Sequence, residues 1–391
     1  MSSYLSATWI YPVSSAPLKN GIIAVSDDGI ITAVLTAQEG ETLNIKDIRY
    51  YDGVLVPGLV NTHCHLELSH LVGKIPEHTG LPGFVQQVMQ QRQASELEIE
   101  QAMQLADTAM YNNGIVATGD ISNQIYSRTV KLSSKIYYHT FVEVMGFNPA
   151  RAKEIIQKAV ETRAAFQPLR ATVVPHAPYS VSEELFKEIA QESGAAADSV
   201  SIHNQETADE NLFFEYKKGH FLKLYEFLGL DISFFQAKGK TSLQCYLPLL
   251  SAAAKTLLVH NTFTTNEDIA FAGAQHPHLY WCLCPNANLY IENRLPDVAL
   301  LQAAGVMITL GTDSLASNHQ LSILAEMKTL QEYQQIPFEE LLCWATQNGA
   351  LFLGMESELG SFEIGKRPGV NLIEQLEDGL ITNNTRIQRI I

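Results

Sequence analysis

The chain has 391 residues, 46% of them hydrophobic, with a mean hydropathy of −0.01, so it can bury one large core. Its 42 acidic against 26 basic residues leave a net charge of −16. That balance argues against nucleic acid or an acidic membrane surface as partner and suits an enzyme of small molecules.

Residues 1–56 carry short β-type runs (YLSATWIYP, GIIAVSDDG, IITAVLT, RYYDGVLVPG), and Asp27-Asp28-Gly29 between two β-branched runs predicts a hairpin. The C-terminal GSFEIGKRPGVNLIEQL also has strand character. The two ends, 1–56 and 365–391, are therefore expected to fold together as a small β-sandwich beside a larger domain, 57–364.

Within that larger domain strands and helices alternate, which predicts an α/β fold with a parallel sheet. The candidate strands are 54–62, 115–121, 135–144, 170–176, 199–204, 256–261, 278–284 and 306–312, as many as a closed (β/α)8 barrel needs. Helical patterns fill the gaps, over 82–114, where Gly114 offers a C-terminal cap, and over 149–166. The connection 207–250 is unusually long for a compact domain and is expected to wall a substrate pocket.

Cys64, Cys245, Cys282, Cys284 and Cys343 contain no CxxC pair, so neither a zinc ribbon nor a disulfide framework is indicated. An odd thiol count, with no basic segment leading an apolar one at the N-terminus, points to a reducing cytoplasm. No apolar run is long enough for a membrane span.

The chemistry gathers at strand ends. His63 and His65 in VNTHCHLE are two apart on a strand and leave the same face, so both imidazoles can meet one cation at about 2 Å. An isolated HxH is a weak signal, but His203 in VSIHNQET and Asp313 in ITLGTDS also close apolar runs. Three histidines and an aspartate with a place left for water describe a catalytic metal site rather than a structural one. Glu206, three residues past His203, is placed to shuttle a proton. His260 in LLVHNT could be a ligand, a satisfied core histidine, or a group that orients the attacking water; four protein ligands already leave little room, so it is assigned to water orientation.

The motifs PGLVNTHCHLE, PHAPYSVS, IHNQET, LVHNT, CPNANLYIEN and LGTDS, in this order, resemble the amidohydrolase superfamily over nearly the whole chain. The similarity is to its branch of nucleobase and adenosine-type deaminases and related chlorohydrolases. The resemblance implies a distorted (β/α)8 barrel with a β-sandwich built from both termini. It also implies that His63, His65, His203 and Asp313 hold one divalent metal, with Glu206, His260 and Asp313 catalytic. Strand four, RATVVPHAPYS, lacks the lysine of binuclear relatives, which implies a single metal. Zinc suits these ligands, though iron or manganese can occupy the same set. A homodimer would be unsurprising in this family.

The implied reaction is deamination of an adenine nucleoside, hydroxide generated at the metal attacking the amine-bearing carbon and ammonia leaving. His176 is carried over as a substrate contact, and Glu67, continuing the alternation of the two histidines, is expected to point inward. Phe84 and Asn288 are further candidate substrate contacts, Asn288 with Asn286 and Tyr290 after strand seven. HLE, the KGK-containing insertion and CPNANLYI look most like aminodeoxyfutalosine deaminases of the menaquinone pathway. A benzoate on such a nucleoside would want a cation; Arg92, Arg128, Arg151, Lys238 and Lys240 are the candidates. The alternatives are a guanine, pterin or triazine aminohydrolase or an amide hydrolase, and, from another class, a non-catalytic barrel scaffold.

Overall fold

The structure, a computed structural model, describes residues 2–193 and 199–391. The first strands, β1 (Ser2–Ile10), β2 (Leu18–Lys19), β3 (Ile22–Ser26), β4 (Ile31–Leu35) and β5 (Ile48–Pro57), pair with the last two, β14 (Val370–Glu374) and β15 (Arg386–Arg389), in one seven-stranded sheet. The two ends therefore do fold together. The expected hairpin joins β3 to β4, with Gly29 at φ 79°. Leu5, Ile10, Ile23, Leu55 and Leu372 form the apolar face of this sheet.

Between the ends lie eight parallel strands in two four-stranded sheets. One runs β6 (Leu59–Cys64), β7 (Ile115–Ser122), β8 (Tyr137–Val144), β9 (Arg170–Pro175). The other runs β10 (Ser199–Asn204), β11 (Lys255–His260), β12 (Leu279–Leu283), β13 (Met307–Leu310). Their continuous apolar and β-branched runs are what strands covered on both faces require. The sheets meet along two seams with sparser bonding. At one, Thr312 N and Asp313 N donate to His63 O at 3.0 and 3.1 Å; at the other, His203 N donates to His176 O at 3.0 Å.

The expected strand 54–62 is two strands. Gly58 divides β5 from β6 because a Cβ there would meet Pro368 O at 2.5 Å, where the chain passes from the terminal sheet to the parallel strands. The helical stretch 82–114 is likewise broken, into Gly80–Gln91 and Glu96–Asn112; Ser95 caps the second helix, and Gly114, at φ 81°, follows its end.

The segment 207–250 folds as short helices, Ala208–Tyr216, Phe221–Phe227 and Ser242–Tyr246. Thr207 caps the first of them, so the chain turns helical directly after Glu206. Phe213, Phe214, Phe221 and Tyr225 pack on Phe147 and Tyr179 above the strand ends. Among the described residues, no helix is long and apolar enough to cross a membrane, and all five cysteines are free thiols.

Candidate metal centre and catalytic pocket

Four side chains from the two parallel sheets converge at their C-terminal ends. His65 Nε2 lies 3.1 Å from His63 Nε2 and 3.3 Å from His203 Nε2. Asp313 Oδ1 lies 3.4 Å from His63 Nε2 and 3.3 Å from His65 Nε2. Ligands about 2.0–2.1 Å from one ion at tetrahedral angles stand about 3.3–3.4 Å apart, so these separations are the edges of a ligand shell. His203 Nδ1 donates to His176 O at 2.7 Å, which leaves the Nε2 lone pair facing the centre. Imidazole lone pairs and a carboxylate oxygen aimed at one point form a donor set that fits a divalent cation.

His63, His203, His260 and Asp313 also present ligand atoms within 4.8 Å of one another, so distance alone leaves His65 and His260 competing for one place. Their surroundings separate them. His65 Nε2 is in close contact with all three other donors, whereas His260 Nε2 stands 3.5 Å from Glu206 Oε1 and Nδ1 lies 3.4 Å from Asn288 Nδ2. His260 is thus tied to the proposed proton shuttle.

The backbone that delivers these groups is strained. Gln205, His260, Asn261 and Asp313 have φ of 46°, 78°, 60° and 55°, a region that costs a non-glycine residue about 1–3 kcal/mol. The left-handed turn at each strand end swings Glu206, His260 and Asp313 toward the centre. Gly311 is required by proximity: a Cβ there would sit 2.9 Å from both His63 O and His63 Cβ. Ser317 donates a short hydrogen bond to Asp313 Oδ2, leaving Oδ1 for the histidines.

Burial sets the charges. Burial and the nearby Asp313 carboxylate push the Glu206 carboxyl well above the usual range, so it is held as an acid. Burial drives His260 down, keeping it neutral. Burial alone would raise Asp313, but its hydrogen bond with His63 leads the effects that hold it well below the ordinary carboxylate value.

The centre opens into a pocket of about 160 Å³ lined by His65, Phe84, His176, Glu206, His260 and Asp313. A larger cavity of about 670 Å³ adjoins it, sharing Asn123, Glu143, His176 and Tyr179 and bounded by Leu224, Tyr225 and Leu228 of the long connection. The connection is thus a wall of the cavity, as its length suggested. His176 and Phe84 line this pocket. Two expected substrate contacts do not. Glu67 spends both carboxylate oxygens on backbone N–H groups of Asn123 and Gln124 and is absent from the pocket lining, because the strand gives way after Cys64 to a 3-10 turn, Leu66–Leu71, that ends the alternation. Asn288 sits behind His260 and donates to Thr262 Oγ1 at 2.7 Å.

Among the candidate cations, Arg128 donates to Gln167 O, Arg151 pairs with exposed Glu154 at the rim of the larger cavity, and Lys238 pairs with Glu183. Arg92 is the one that lines the catalytic pocket, and it has no polar side-chain partner among the described residues. Glu143 and Asn123 went unnoticed in the sequence. Glu143 is the penultimate residue of β8, where an apolar-flanked FVEVM run gives no sign of a pocket residue.

Comparison with known proteins agrees with this geometry. The amidohydrolase family model matches residues 54–388. The chain belongs to the amidohydrolase family. It is therefore a hydrolase. It is 26% identical over 336 residues to an adenosine deaminase of Helicobacter pylori, covering 84% of this chain and 81% of the relative. An aminodeoxyfutalosine deaminase of Nitratiruptor is 26% identical over 343 residues, covering 84% and 80%. Among solved structures, Helicobacter pylori aminofutalosine deaminase superposes with a TM-score of 0.80 at 21% identity, all of each chain covered. A zinc-bound adenosine deaminase of Xanthomonas campestris superposes at 0.69 with 22% identity, covering 95% and 84%. At these identities the superpositions establish the shared fold.

Proposed function

We propose that the protein is a metal-dependent deaminase of an adenine nucleoside. The observation that carries this reading is the convergence of three imidazole nitrogens and Asp313 beside the buried carboxyl of Glu206, in a pocket continuous with a cavity several times larger. In this reading the two parallel sheets close into a distorted (β/α)8 barrel over 57–364, and 1–56 with 365–391 form a β-sandwich beside it.

His63, His65, His203 and Asp313 are the ligands, for zinc in the first instance. When bound there, a divalent cation would supply Lewis acidity that lets a water act as the nucleophile at neutral pH. Asp313 takes the proton released from that water, and neutral His260 orients it through the Nε2 that faces Glu206. Glu206 would deliver its proton to the ring nitrogen next to the carbon under attack and take one back from the added hydroxyl. The proton held by Asp313 passes to the amino group, whose C–N bond breaks to release ammonia and leave the carbonyl. His176 and Phe84, which line the pocket, contact the ring.

The adjoining 670 Å³ supports a nucleoside over a free base, since a purine alone would leave it empty. Arg92 supports an acidic substituent on that nucleoside, in line with the relatives named for aminodeoxyfutalosine. The test is ultraviolet-monitored deamination by zinc-loaded protein of adenosine, methylthioadenosine, adenosylhomocysteine, aminodeoxyfutalosine, guanine and adenine. Turnover of an adenine nucleoside supports the reading; turnover of guanine alone, or silence across the panel with zinc confirmed, contradicts it.

A further inference from the structure

The turns that follow β6 and β7 hold each other by a reciprocal pair of buried carboxylates. Asp120 of β7 accepts the N–H of Leu66, the residue directly after His65, at 2.7 Å. Glu67, the next residue, reaches back the other way and accepts Asn123 N at 3.0 Å and Gln124 N at 3.2 Å. Asp120 is fully buried and paired with Lys131 at 2.6 Å, and Lys131 is held in turn by Ser122 Oγ and Thr140 Oγ1, each at 3.0 Å. The clasp extends toward the opposite ligand: Asn123 Nδ2 donates to Glu143 Oε2 at 3.0 Å, and Glu143 Oε1 stands 3.6 Å from His203 Nδ1. A polar path therefore runs from the turn carrying His65 to the back of His203.

We propose that Glu67 is a positioning residue whose clasp on the Asn123–Gln124 turn, with Asp120 on Leu66, fixes His65 for metal binding. It rests on the reading of His63, His65, His203 and Asp313 as ligands. With Leu66 N held by Asp120 and Glu67 held by the N–H groups of Asn123 and Gln124, the main chain just past His65 is pinned to the turn after β7, which restricts how far the His65 ring can move. Outer groups of this kind typically contribute 10- to 100-fold to metal affinity. In Glu67→Gln the amide can accept from one backbone N–H but turns its own NH2 against the other.

The experiment is zinc affinity of the apo protein by competition with a chromophoric chelator, with the thermal midpoint of each apo variant measured alongside. Glu67→Gln is expected to weaken zinc 10- to 100-fold. Asp107→Ala serves as the structural control, since it removes the acceptor of part-buried hydrogen bonds from Ser134 and Tyr138 away from the centre and is expected to lower the midpoint with zinc affinity unchanged. Zinc bound by Glu67→Gln within about twofold of wild type, or weakened equally by the control, overturns the proposal. A wild-type chain that binds no zinc overturns the metal reading and the proposal together. Should Glu67→Gln fail to fold, amide exchange in wild type decides: the N–H groups of Leu66, Asn123 and Gln124 gain protection on zinc binding if the clasp and the metal are coupled, and unchanged protection overturns it.

Discussion

The two parallel sheets bring their groups to the same centre by different means. In the sheet β6 to β9, His63 lies on β6 and His65 just past its end, neither with positive φ, and their turn is secured by side chains, Asp120 and Glu67, that satisfy backbone donors. In the sheet β10 to β13, Glu206, His260 and Asp313 arrive through left-handed backbone at Gln205, His260 and Asp313 themselves. The first half delivers its two histidines on unstrained backbone, and the second stores strain. The groups assigned to proton movement all lie in the strained half, the place where backbone outliers point to function.

Breaking the strained half should have the largest effect. Glu206→Gln is expected to lower turnover by about 10²- to 10⁴-fold while bound zinc stays near wild type, because the amide keeps the shape and loses the proton. Metal analysis beside steady-state kinetics checks it, and loss of zinc in that variant would mean that a ligand had been mistaken for an acid. At the seam, Gly311→Ala forces a methyl against His63 and should cost about 1–3 kcal/mol in denaturant unfolding, with weakened zinc as a second sign.

The unstrained half offers a pH test. His139 on β8 is driven down to about 3 by burial, with Arg170 and Lys131 nearby adding to the effect; its Nε2 meets Thr172 Oγ1 at 3.0 Å. The unfolded chain takes up a proton near pH 6.5 that the folded chain refuses. Stability contributed by this group is thus complete above about pH 6.5 and falls by up to about 1.4 kcal/mol per unit as pH drops toward 3. Urea midpoints between pH 7 and 5 should fall less steeply in His139→Asn than in wild type. The smallest effect separates idle strain from strain in use. Gln335, exposed at φ 58° just past the helix Ile323–Gln334, should accept glycine with a gain of up to about 0.5 kcal/mol in thermal unfolding. Asp313→Gly, at a similar φ, should abolish activity.

The strand order and the convergence of His63, His65, His203 and Asp313 were legible because apolar runs ending in His or Asp carry their own geometry. Glu67 misled for a local reason: alternation holds only while the chain is extended, and the turn at Leu66 turns the carboxylate toward β7. Asn288 misled because Pro285 starts a helix after Cys284, which places it behind His260 instead of in the pocket. Glu143, Asn123 and the special place of Arg92 depend on which loops face each other across the centre, and no local pattern records that.

The centre itself is tested most directly by an anomalous difference map from a zinc-loaded crystal. The account predicts one peak per chain, about 2.0–2.1 Å from Nε2 of His63, His65 and His203 and from a carboxylate oxygen of Asp313, with His260 and Glu206 outside the first shell. A peak ligated by His260 with His65 turned away, a second peak, or no peak after loading would contradict it.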